Sequence, residues 1–329
     1  MSESLPRGYT LRGYRIQRVL GRGGFAITYL AHQTELARPV AIKEYLPDGL
    51  AAREENAATV HAAGSEGRYF RWGLKRFHAE ARTLARLSHP GIVQVIEIFQ
   101  ANGTAYLVMD YQDGTGLMDL LEKEGPIREE RLRGLLDDIL GALEYLHNAR
   151  VLHRDVKPTN IIVLRNGHPV LIDFGNARHA IGGKTQSLAA AISPGYSPTE
   201  QYILRGKQGP WTDIYALGAT LYHAISGKPP PESPERAVLD TMIPAMDAGK
   251  DRYDRSLLNA IDRALSISPT DRPQSIGQFR ELLGPPDTSF MATASEAPSV
   301  QRSGPTIVPY RYSMSFWRRF IKWLGGHRW

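Results

Sequence analysis

The chain has 329 residues, 42% hydrophobic and 22% charged, which fits a folded protein rather than a disordered one and is enough for a substantial core. It has no cysteine, so disulfides and cysteine-ligated metals are excluded. The net charge of +6 is carried by 297–329, where six Arg or Lys meet no Asp or Glu, so residues 1–296 are formally neutral and a nucleic-acid partner is disfavoured.

No run approaches the roughly 18 consecutive apolar residues of a spanning helix, and 1–10 carries no apolar leader; a cytoplasmic protein is expected. Residues 1–13 read as an N-terminal tail. The pattern predicts strands over 14–20 and 26–31 around a glycine cluster and a third over 39–45, then a long insertion, 46–72, with little periodicity. A helix is predicted over 74–87, where Leu74, Phe77, Ala81 and Leu84 recur every three to four residues. Strands over 93–99 and 105–111 flank the turn Ala101-Asn102-Gly103-Thr104. Helices over 117–123 and 129–148, short strands over 161–164 and 170–172, and helices over 212–226, 257–266 and 275–283 complete the periodic part. The fold class is therefore α+β: a small, mostly antiparallel sheet lobe with one helix (14–112), then a larger helical lobe (113–284). Pro, Ser and Thr dominate 285–315, a linker, and 316–329 is basic and aromatic.

The chemistry sits in short motifs between these elements. In Gly21-Arg22-Gly23-Gly24-Phe25-Ala26 glycines let backbone N–H groups approach a phosphate, a weak signal alone because glycine turns between strands are common. Lys43, in Val40-Ala41-Ile42-Lys43, can reach phosphates if a carboxylate fixes it, and Glu80 on the following helix is the candidate. The strongest signal is His153-Arg154-Asp155-Val156-Lys157-Pro158-Thr159-Asn160: Asp155 can accept a hydrogen bond from an attacking hydroxyl, Lys157 can neutralise a moving phosphoryl group, and Asn160 can hold a metal. Asp173-Phe174-Gly175, placed after a strand, adds an oxygen ligand for Mg²⁺.

With these motifs in this order, the chain resembles the eukaryotic-like (Hanks-type) serine/threonine protein kinases of bacteria over roughly 14–283, and hence a bilobal kinase fold. The resemblance implies ATP with Mg²⁺, or Mn²⁺ in its place, and protein substrates bearing Ser or Thr. It implies that Leu20, Gly21, Gly23 and Gly24 cover the nucleotide, that Lys43 paired with Glu80 grips its phosphates, and that Met109, Asp110 and Tyr111 line the adenine site, with Met109 as gatekeeper. Asp155 would be the catalytic base, Lys157 its partner of the serine/threonine type, and Asn160 and Asp173 the metal ligands. Ser193-Pro194-Gly195-Tyr196-Ser197-Pro198-Thr199-Glu200 resembles the end of an activation segment, with Glu200 paired to Arg272, and Asp213 resembles the residue that holds the catalytic-loop backbone. Ala26 and Ser197 depart from the family's usual glycine and alanine without removing a charge.

Arg154 beside Asp155 points to control by phosphorylation on 176–199, with Thr185 and Ser187 as acceptors and Ser193 as a hydrogen-bond partner of Asp155 and Lys157. In 316–329, Phe316, Trp317, Phe320, Ile321, Trp323 and Leu324 fall within an arc of about 160° and Arg318, Arg319 and Lys322 lie opposite, a pattern for an anionic membrane surface, an acidic partner, or the kinase body itself. The first of these would place the protein peripherally at the inner membrane face. The alternatives are a pseudokinase, which predicts loss of Lys43, Asp155, Asn160 or Asp173, all of which are present; a small-molecule phosphotransferase; and a scaffold recruited by its tail.

Overall fold

The computed structural model describes residues 4–53, 58–174, 192–203 and 206–284. The expected linker 285–315, the segment 316–329, Thr185 and Ser187 lie outside the described residues. Six antiparallel strands form the first lobe in the order β1 (Thr10–Leu11), β2 (Tyr14–Gly23), β3 (Ala26–Gln33), β4 (Arg38–Tyr45), β8 (Thr104–Asp110) and β7 (Val95–Ala101). Alternation sorts the central strands by face: Ala41 and Lys43 of β4 and Leu107 and Met109 of β8 line the interlobe cleft, while Val40, Ile42, Glu44, Tyr106 and Val108 turn to the far side, each fully buried. An antiparallel sheet can leave its far face to water; this one does not.

The described residues of the expected insertion hold regular structure. Residues Ala51–Arg53 (β5) and Val60–Ala62 (β6) pair as a separate hairpin, and helix α1 runs from Gly67 to Leu84, seven residues earlier than the periodicity implied. Gly67 and Gly73 weaken the helical signal there, but Phe70 and Phe77, one heptad apart, fall on the buried stripe with Ala81 and Leu84 and hold the first turns against the sheet.

The second lobe is built on α3 (Glu129–Asn148) and α4 (Pro210–Ser226). Leu132, Leu135, Leu136, Ile139, Leu140, Leu143 and Leu146 give α3 one buried stripe, and two acidic residues at its start suit the helix dipole. Helix α4 is buried on nearly every side, begins with Pro210 at its first turn and stops at Gly227, whose φ of 80° ends it in the left-handed conformation. Between the lobes run β9 (Gly114–Gly116), α2 (Leu117–Glu124), β10 (Ile161–Leu164) and β11 (Pro169–Leu171), the three strands forming a small sheet in the order β11-β10-β9. The lobe is completed by α5 (Ser233–Val238), α6 (Ala245–Ala248), α7 (Arg255–Ala264) and α8 (Ile276–Leu283). The first two of these four, with β1 and β9, are too short for periodicity to reveal.

Candidate active site

The cleft between the lobes has an inner and an outer cavity, which share Thr28, Val93, Met109 and Asp173. Gly21, Gly23, Lys43, Glu80 and Phe174 border the inner one. Leu20, Asp110, Tyr111, Gln112 and Asp119 border the outer one, at the connector between lobes. A Cβ on Gly23 would meet open space, so the β2–β3 turn leaves room for a bulky anion beside its backbone. Gly24 sits in the same turn, where its carbonyl accepts the Asp48 N–H at 2.8 Å. Ala26, where the family's usual glycine is missing, pairs with Gly23 at the mouth of the hairpin.

Lys43 extends from β4 into the inner cavity, and its ammonium lies 2.8 Å from Asp173 Oδ1. The expected Lys43–Glu80 pair is therefore replaced by Lys43–Asp173. The reason lies in the two carboxylates' surroundings. Asp173 holds a left-handed backbone (φ 57°) that aims its side chain at the ammonium. Glu80 borders both the inner cavity and a neighbouring one lined by Arg76, Arg150 and Arg154, and its charge is felt by Arg154.

Below Lys43 the loop after α3 gathers the remaining groups. Asn160 Nδ2 donates to the Asp155 carboxylate at 2.7 Å and to its backbone carbonyl at 2.8 Å, which leaves the amide oxygen as the atom that can ligate. Lys157 Nζ lies 3.0 Å from Asp155 Oδ1 and donates to Ser193 Oγ at 2.6 Å; the Ser193 hydroxyl in turn donates to Asp155 Oδ1 at 2.7 Å. Asp155 thus already holds one hydroxyl beside an ammonium.

The loop itself is fixed from beneath by Asp213 of α4, which is fully buried. Its carboxylate accepts the backbone N–H groups of His153 (2.9 Å) and Arg154 (2.7 Å) and a hydrogen bond with His147 Nε2 at 2.8 Å. Burial pushes the Asp213 carboxyl up, but the His147 hydrogen bond and charge and the backbone N–H outweigh it and hold the group below the usual range. Arg154 within this loop (φ 67°) and Asp173 after β11 (φ 57°) both have left-handed backbones, so each carries strain at a non-glycine residue. Burial pushes the His153 imidazole down from its ordinary value against the charges of Asp213, Asp155 and Asp173, and its ring packs 4.5 Å from Phe174. Behind the site, Glu200 pairs with Arg272 at 2.8 and 3.3 Å. Ser197, in place of the usual alanine, accepts the Ser193 N–H at 3.0 Å.

Sequence reasoning missed Asp119 on the cavity rim, His147 beneath Asp213, and Gln201, whose amide donates to the Arg154 carbonyl at 2.8 Å. His147 and Gln201 act through backbone or other side chains, and a single sequence carries no spacing signal for such contacts.

A small sheet lobe and a helical lobe closing on a cleft that holds a lysine, two aspartates and an asparagine define a protein kinase. The chain belongs to that family: the protein kinase domain model matches residues 14–279. Among its relatives is the serine/threonine-protein kinase PknK of Mycobacterium tuberculosis, 34% identical over 289 residues, 85% of this chain and 24% of that protein. Another is the serine/threonine-protein kinase PknA of Nostoc, 32% identical over 82% of this chain and 46% of its own length. The chain thus spans from 24% to 46% of the length of these relatives. The solved structure of PpkA-294 in its apo form is 42% identical, with a TM-score of 0.78, covering 86% of this chain and all of that one. Within the family the chain is similar to the serine/threonine protein kinases of bacteria, the Hanks type. Among the described residues no helix is long and apolar enough to cross a membrane.

Proposed function

We propose that this chain transfers the γ-phosphoryl group of ATP to serine or threonine hydroxyls of protein substrates. The observation that carries the reading is the continuous network Asn160–Asp155–Lys157–Ser193 directly beneath the Lys43–Asp173 pair. Asp155 Oδ1 accepts the acceptor hydroxyl's proton as its oxygen attacks in line, and Lys157 offsets charge on the moving phosphoryl group. Lys43 holds the α- and β-phosphates under the glycine turn, and Leu20, Met109, Asp110 and Tyr111 border the base. The Asp173 carboxylate and the Asn160 amide oxygen are a donor set that suits a hard divalent cation, magnesium or manganese. Bound there, the cation would neutralise triphosphate charge. Positioning and electrostatics supply the catalysis, as phosphoryl transfer demands little covalent help.

Glu80, on the wall of the same cavity, would be the carboxylate left to pair with Lys43 if Asp173 held the cation. The activity is tested by phosphate transfer from labelled ATP to a generic basic protein, wild type against Asp155→Asn. The variant should still bind ATP and lose transfer; near-wild-type transfer would remove Asp155 from its role.

Autophosphorylation on 176–199, at Thr185 or Ser187 and read by Arg154, is part of the proposal, as is a signalling role. Burial lowers the affinity of the Arg154 guanidinium for its proton, against the opposing charges of Asp213 and Glu80, so a phosphate there would meet a desolvated cation. Peptide mapping after incubation with ATP checks it. A cytoplasmic location, with 316–329 contacting an anionic membrane or an acidic partner, is tested by co-sedimentation with anionic vesicles with and without that segment.

A further inference from the structure

Lys43, Glu44 and Tyr45 are consecutive on β4 and do three different things. Lys43 faces the cleft; Glu44, by strand alternation, faces the far side of the sheet and is fully buried. A carboxylate with no exposure needs its oxygens satisfied, and they are. Oε1 accepts the hydroxyl of Tyr106, its cross-strand neighbour, at 2.6 Å, and Oε2 accepts that of Tyr29 at 2.7 Å. Burial and the adjacent Glu44 charge raise both tyrosine hydroxyls well above their ordinary value, so they remain donors. The countercharge is Arg53 of β5, with a side chain only 1% exposed, bonded to Glu44 Oε1.

A buried ion pair is a poor way to gain stability, because apolar residues of the same size serve as well or better. What such a pair can do is fix a register, and here it fixes the β5–β6 hairpin to the strand that carries Lys43. The hairpin's other contacts continue the connection. Arg53 Nε donates to the Ala58 carbonyl at 3.0 Å, and Val60 N donates to the Asn102 carbonyl in the β7–β8 turn at 2.7 Å. Ala63 N donates to the Leu50 carbonyl at 2.9 Å, closing the hairpin's base. From there one 3₁₀ turn, Gly64–Glu66, leads straight into α1. Tyr45 then clasps α1, its ring 5.3 Å from Phe70 and 5.6 Å from Phe77, and Glu80 lies one turn beyond Phe77 on the cavity wall.

We propose that the β5–β6 hairpin is a brace and Arg53 a positioning residue: by pairing with Glu44 on the far face of β4, Arg53 sets where α1 starts and therefore where Glu80 stands relative to Lys43. The insertion between β4 and α1, whose described residues border neither cavity of the cleft, acquires a role in nucleotide grip. The inference rests on Lys43 and Glu80 serving ATP as proposed above.

The test is steady-state phosphate transfer by the full chain at varied ATP, with melting followed in parallel. Arg53→Met should lower kcat/KM for ATP about ten- to hundredfold, the scale of a misplacement near 1 Å. Arg53→Lys, which can still reach Glu44, should recover most of it. Since Arg53→Met strands a buried charge and can unfold the lobe, Glu44→Gln/Arg53→Met is made alongside; it leaves no charge unpaired yet removes the brace. That double variant should melt within a few degrees of wild type and show the same loss in kcat/KM. A well-folded double variant with wild-type kcat and KM for ATP would overturn the proposal, because the pair would then be structural only. Lys43→Met is the control for the underlying reading: should it retain transfer, the grip by Lys43 fails, independently of the brace.

Discussion

Replacing Asp213 by Asn keeps the shape of the side chain but removes its charge and turns one acceptor oxygen into a donor. The carboxylate receives three hydrogen bonds, from the backbone of His153 and Arg154 and from His147. Whichever way the amide turns, its NH₂ opposes a backbone N–H, either of Arg154 on one oxygen or of His153 on the other. Losing a charge-assisted bond and leaving a buried N–H unpaired costs about 3 kcal/mol. That is a large part of the ~5–15 kcal/mol that a domain has in total, and it corresponds to a fall in Tm of about 6–12 °C. The functional loss should exceed what instability explains. Arg154 is held at φ 67°, a conformation that costs a non-glycine residue about 1–2 kcal/mol, and the Asp213 bond to its N–H keeps it there. Once released, the loop relaxes and carries Asp155 with it, and a shift near 1 Å lowers kcat about a hundredfold. KM for ATP should change little, since Asp213 borders neither cavity. The assay is initial-rate phosphate transfer at a temperature where thermal melts show the variant folded. A Tm within about 2 °C of wild type together with kcat within twofold would refute this account of the loop.

Arg272→Met strands the buried Glu200 carboxylate and removes donors from the Ser266 and Ile267 carbonyls; it should cost about 3–5 kcal/mol in urea unfolding, and Glu200→Met on the same background should recover most of it. Gly103→Val forces a β-branched residue into a left-handed turn (φ 73°) with its Cβ against the Val60 carbonyl, and should lower stability by about 1–3 kcal/mol while loosening the hairpin from the β7–β8 turn, measured by amide exchange at Val60. His223 is held down to about 4 by burial, with its Nδ1 2.6 Å from the Tyr196 hydroxyl. The unfolded chain binds a proton there from pH 6.5 downward and the folded one only near 4, so this contribution is complete above 6.5 and is lost as pH falls from 6.5 to 4. His223→Gln should flatten the pH dependence of Tm in that window; an unchanged slope would assign it to other groups.

Much of the architecture was legible because local patterns and tertiary demands coincide. Helix α3 spans the expected 129–148 because its leucines repeat on one stripe and acidic residues mark its start, and β10 matches 161–164 for similar reasons. The loop motif from His153 to Asn160 could be read for its chemistry because the identities and their spacing are set by a single short turn. The start of α1 was not legible: glycines at 67 and 73 weaken the helix locally, and only the packing of Phe70 and Phe77 on Tyr45 restores it. Nor does spacing foretell the β5–β6 hairpin, whose three-residue strands are held by Arg53 reaching a carboxylate on another strand.

The sequence by itself therefore determined the kinase lobes, the order of the motifs and the side chains available for phosphate transfer, since each depends on residues close together along the chain. Tertiary structure alone decided which carboxylate takes Lys43. Asp173 and Glu80 are equal candidates by charge and chemistry, and the choice rests on backbone conformation and surroundings: Asp173, turned by its left-handed φ, meets Lys43, while Glu80 also faces the arginine-lined cavity beside Arg154. Coulomb energies fall off over a few ångströms, a distance that sequence separation does not encode.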